Sequence, residues 1–74
     1  MNDERRKKLK QAISLLDQAN EIIEEVLEEE HDAYMSHADS PLTSKLDEKL
    51  SENIKTLDLI RGEIYKYSEE LGKL

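Results

Sequence analysis

The sequence predicts an all-α fold, an antiparallel two-helix hairpin packed like a coiled coil, and three observations carry the prediction. Leu50, Leu57, Ile64 and Leu71 stand seven residues apart. Leu9, Leu16 and Ile23 do the same, with Ala12, Ile13, Ala19, Val26 and Leu27 beside them. The only proline, Pro41, falls in the short break between the two sets. A seven-residue repeat keeps apolar side chains on one side of a helix, and a break lets two such helices fold back on each other.

The elements follow in chain order as one domain. Asn2 or Asp3 can accept from the free amides of a helix start, so helix 1 is expected over about residues 3–35. Ser36-His37-Ala38-Asp39-Ser40-Pro41 interrupts the pattern and forms the expected turn, about 36–41. Pro41 disfavours a helical Ser40 but suits a first helical position, which makes Ser40 a cap; Ser44 with Asp47 is a competing start. Helix 2 is expected over about 42–72, with Gly72 suited to a C-terminal stop. Gly62 lies within it and costs up to about 1 kcal/mol relative to Ala.

The apolar rows need companions. Residues three positions on from Leu9, Leu16 and Ile23 are Ala12, Ala19 and Val26, followed by Ala33. For helix 2 the companion row is Leu46, Asn53, Ile60 and Tyr67. Folded antiparallel, Leu9 comes near Leu71, Leu16 near Ile64 and Ile23 near Leu57. Leu15, Ile22, Ile13, Leu27, Ile54, Leu59 and Tyr65 spill beyond these rows. A lone hairpin covers one stripe per helix, and a chain of 74 residues buries little of its surface. Self-association into an antiparallel four-helix bundle, a homodimer, is therefore expected.

Composition excludes several functions. The chain has no Cys, so neither disulfides nor zinc thiolates can support a thin core. No apolar run approaches the roughly 18 residues of a membrane span. Arg5, Arg6, Lys7 and Lys8 have no apolar core behind them, so secretion is not expected and a cytoplasmic location fits. A net charge of −7 opposes binding to nucleic acid and to anionic membranes, both polyanions. The basic cluster is better placed to pair with Glu69 and Glu70 at the end of helix 2.

Glu28 and His31 have the Glu-x-x-His spacing of di-iron bundles, but the repeat turns both outward and no metal is expected. His31 and His37 lie near the turn, no nucleophile is set up by spacing, and two glycines cannot form a phosphate loop. Neither catalysis nor a cofactor is expected. Charge is the sharper signal. Eight acidic residues and no basic one fall between Asp17 and Asp32, several of them three or four apart. Such like-charge pairs each cost a few tenths of a kcal/mol. Helix 2 instead alternates sign at Lys45–Glu48, Lys49–Glu52, Asp58–Arg61 and Glu63–Lys66. Glu21, Glu24, Glu25, Glu28 and Asp32 thus form an acidic ridge suited to a basic protein partner. Asn20 and Asn53, on or beside the seams, are suited to fixing register.

Arg5-Arg6-Lys7, the heptads after it, and Glu28-Glu29-Glu30-x-x-Ala33-Tyr34 before a Pro/Ser-containing turn resemble small helical-hairpin proteins of bacteriophages and other mobile elements. The resemblance implies a compact protein that binds and blocks a host protein; it transfers no functional residues. The expected function is a small acidic, non-enzymatic protein-binding module. One rival is a nucleotide sponge using Tyr34, Tyr65 or Tyr67 for stacking at a subunit boundary. Another is a purely structural, self-assembling piece.

Overall fold

In the computed structural model the chain forms two helices, α1 (Asp3–His37) and α2 (Ser44–Gly72), packed against each other along a rod of 59 × 14 × 11 Å. The structure describes residues 1–37 and 44–74; the expected Ser40 cap, Pro41 and most of the expected turn lie outside them. The side chains of His37 and of residues 44–47, Leu46 included, lie outside them too. Among the described residues there is no strand.

Asn2 supplies the N-terminal cap of α1. Its side-chain oxygen accepts from the Arg5 amide at 2.9 Å, and its carbonyl accepts from the Arg6 amide at 3.1 Å. Asp3 and Glu4 in the first turn add negative charge where the helix dipole favours it. The far end of α2 closes differently from the expected glycine stop. Gly72 does not adopt positive φ; the last turn tightens instead, with Lys73 and Leu74 amides donating to the Glu70 and Leu71 carbonyls at 3.2 Å.

The seam between the helices uses the expected primary rows and different companions. Leu9, Leu16 and Ile23 of α1 and Leu57, Ile64 and Leu71 of α2 are half-buried, and Leu50 is buried. On α1 the expected companions Ala12, Ala19 and Ala33 are half-buried and Val26 is exposed, while Ile13, Asn20 and Leu27, four residues on from the primary row, join the seam. On α2 the companions sit four residues on rather than three, at Ile54, Arg61 and Ser68. Leu27 and Ser68 are each 7% exposed, whereas Val26 is 38%, Ile60 41% and Tyr67 52% exposed. Asn53 is exposed as well. On α1, covering Leu27 in place of Val26 removes more apolar surface from water. On α2 the covered row carries Arg61 and Ser68, which reach across the seam to Glu24 and Asp17.

Cross-helix bonds fix the antiparallel register. Arg6 Nε donates to the Leu74 carbonyl at 3.4 Å, Ser68 Oγ to Asp17 at 3.3 Å, and Asn20 Nδ2 to the Arg61 carbonyl at 3.2 Å. This register sets Leu9 at the level of Leu71 and Ile23 at the level of Leu57. Gly62, on the exposed side of α2, has no heavy atom within 4 Å of where a Cβ would stand. No close approach inside the hairpin requires it. Gly62→Ala is expected to stabilise the hairpin by up to about 1 kcal/mol, read as a rise in the midpoint of thermal unfolding followed by circular dichroism. A fall would mean that another chain packs closely there.

Candidate functional site

The two helices leave two long sides flanking their seam, and these differ sharply in chemistry. On one side Lys10 of α1 shares a cleft with Gly72, and Glu24 and His31 line a groove with Asp58 and Arg61 of α2. A neighbouring hollow joins Asn20 and Glu24 to Arg61, Gly62 and Tyr65. This is the polar side. The rows toward the other side are Ala12, Ala19 and Val26 of α1 and Ile60 and Tyr67 of α2, the two alanines half-buried at the edge of the seam, with Leu15 and Ile22 next to them and 65% and 61% exposed. That side is apolar.

The acidic ridge belongs to the polar side and the outer surface of α1. Glu21, Glu24, Glu25, Glu28 and Asp32 are all exposed. Among the described residues one of the five meets a cation: Glu24 lies 3.7 Å from Arg61, which also forms a 2.7 Å bond to Asp58. Arg61 therefore holds a seam position by laying its stem across the interface and turning its guanidinium out to two carboxylates. Of the sign-alternating pairs expected along α2, Asp58–Arg61 forms, while Lys49–Glu52 and Glu63–Lys66 do not close into ion pairs.

The groove beside the ridge is lined by Glu24, Glu28, Asp58 and His31, with Leu27 and Arg61. Three carboxylates against one guanidinium leave it negative. Buried Leu27 gives it an apolar patch, so an aliphatic stem carrying a cation matches the lining. His31 and Glu28 are exposed, and among the described residues no three His, Cys, Asp or Glu side chains gather as a metal site would require.

The remaining candidates lie apart. Tyr34 borders a hollow near the turn end with Glu48, Ser51 and Lys55; Tyr65 is on the polar side and Tyr67 on the apolar one. One hairpin does not bring the three rings together. The Glu69 carboxylate beside the Tyr65 hydroxyl, acting first as a hydrogen-bond acceptor and then through its charge, holds the phenol above its ordinary pKa. Arg6 of the basic cluster pairs with Asp3 at 3.7 Å and with the Leu74 carbonyl, not with Glu69 or Glu70. Arg61 as the ridge's own counterion escapes sequence reasoning, because its Asp58 partner was the one visible at helical spacing.

No helix among the described residues is long and apolar enough to cross a membrane. No protein-family model matches the chain, and no curated protein or solved structure matches it significantly.

Proposed function

We propose that this chain is a non-enzymatic binding module whose acidic ridge docks on the basic surface of another protein. The observation that supports it most is the exposure of Glu21, Glu25, Glu28 and Asp32 with no cation paired to any of them among the described residues, beside a groove that is itself net negative. Eight carboxylates between Asp17 and Asp32 repel one another, and a basic partner would relieve that repulsion. The hairpin acts as a homodimer, two copies forming an antiparallel four-helix bundle that covers the apolar side and leaves the ridge in water. The resemblance to phage hairpins would make the partner a host protein that the dimer blocks in the bacterial cytoplasm.

The test is capture from bacterial lysate on the tagged chain, at low and high salt, against a variant carrying Glu21→Lys, Glu25→Lys and Glu28→Lys. Glu24 is spared because its reversal would also set a cation beside Arg61. One stoichiometric protein, released at high salt and absent from the variant's eluate, is the expected result. Equal capture by the variant, with helicity unchanged, would remove the ridge from recognition.

A further inference from the structure

We propose that the second copy packs on α1, helix to antiparallel helix, about a two-fold axis beside Ala19. The proposal rests on the self-association put forward above and specifies its face, its direction and its centre. Two rows of α1 lie on the apolar side. The first reads Lys8, Leu15, Ile22, Glu29, and all four side chains are exposed. The second reads Ala12, Ala19, Val26. Together they repeat the alternating three- and four-residue spacing of a coiled-coil seam, with Ala12 and Ala19 half-buried at the edge of the hairpin's own seam and the other five exposed.

Reversing the first row end for end maps it onto itself with opposite charges matched. Set antiparallel, Lys8 faces Glu29 of the second copy, Leu15 faces Ile22, Ala12 faces Val26, and Ala19 faces itself. Neither Lys8 nor Glu29 meets an opposite charge within the described residues of its own hairpin. On the axis, where each residue meets its own copy, charge would repel; there the chain has Gln18 and Ala19. The alanines let the helix axes approach closely, and Ile60 and Tyr67 of α2 widen the covered face.

Parallel packing of the same face does the opposite. It sets Lys8 on Lys8, Glu29 on Glu29, and the acidic stretch from Asp17 to Asp32 alongside its copy. The charge pattern therefore selects one direction. In the selected arrangement Glu21, Glu24 and Glu28, which lie toward the polar side, remain in water.

Cysteine cross-linking tests the geometry, because the chain has no thiol of its own. A disulfide needs Cα atoms within about 7 Å. Ala19→Cys should oxidise to a covalent dimer. Ala12→Cys alone should not, but mixed with Val26→Cys it should give the mixed dimer. Self-linking of Ala12→Cys as readily as Ala19→Cys would mean parallel packing and overturn the proposal. Charge exchange gives an independent reading. Lys8→Glu should weaken dimerisation by roughly tenfold, since the axis places the altered pair twice, and adding Glu29→Lys should restore it. The two residues are about 31 Å apart along one helix, so restoration can only act between chains.

Sedimentation equilibrium separates the two levels of failure. A wild-type chain that stays monomeric at every concentration overturns both the self-association and this interface. A dimer that persists unweakened in Ile22→Glu, with helicity retained, overturns this interface alone.

Discussion

Leu27→Ala is expected to cost about 2–3 kcal/mol and to lower the unfolding midpoint by roughly 10–20 °C. Among the described residues Leu27 and Leu50 are the hydrophobic ones with less than a tenth of their surface exposed, at 7% and 8%. The other described apolar residues of the seam are half-buried. So narrow a core concentrates its stabilisation in a few side chains. Removing three carbons from Leu27 loses their transfer free energy and leaves a gap that two helices cannot close without losing contacts on either side. The cost falls in the lower part of the usual range because the seam is open to water along its length. Leu59→Ala is the matched control. Leu59 is 67% exposed on the outer face of α2, and its truncation should change stability by no more than about 0.5 kcal/mol. Equal losses in the two variants, measured by thermal and urea unfolding, would mean that the seam is not where the helices meet.

The two helices were legible because the seven-residue repeat is a property of helix geometry, independent of the partner. The primary rows were legible for the same reason. Which companion row completes them was not. Adjacent pairs such as Ala12–Ile13 and Val26–Leu27 are apolar on both counts, so the repeat alone cannot distinguish a seam turned one way from a seam turned the other. The packed pair decides: on α1 Leu27 is covered in place of Val26, while on α2 Arg61 and Ser68 are covered and Ile60 and Tyr67 stay exposed. Arg61 was hidden for a second reason. A guanidinium reads as surface in a sequence, yet its stem can cross an interface while its head stays wet.

The ridge was legible as a run of carboxylates without cations, since the neighbours that decide its exposure lie on the same helix. Its counterion among the described residues, Arg61, stands 37 positions from Glu24 in sequence, and nothing local announces the pair. The same blindness applied to the apolar side. Leu15 and Ile22 were visible as excess, but their value as a face depends on Val26, Ile60 and Tyr67 staying exposed beside them, which only the packed hairpin reveals.

Asn20→Leu is expected to stabilise the hairpin by about 1–2 kcal/mol and to loosen its uniqueness. Asn20 is half-buried in the seam, where its amide nitrogen donates to the Arg61 carbonyl at 3.2 Å while its Oδ1 is buried without a partner among the described residues. A buried acceptor left unpaired costs about 1–3 kcal/mol, more than one neutral hydrogen bond returns. Leucine removes that cost and adds apolar area to the level between Ile13 and Leu27. The carbonyl it abandons still lies in the α2 hydrogen-bond ladder, so no new orphan is created there. What the asparagine supplies instead is position. Asn20 against Arg61 and Asp17 against Ser68 are satisfied in one register; sliding α2 by a heptad would set Asn20 against Ile54 or Ser68 and break both contacts. With leucine in its place, the seam tolerates slipped and higher-order pairings that polar mismatch now forbids. Raised thermal stability together with a broadened mass distribution in sedimentation is the expected pair of results. A variant less stable than the wild type would mean that Oδ1 is satisfied after all, by water or by a second chain, and that the asparagine stabilises as well as specifies.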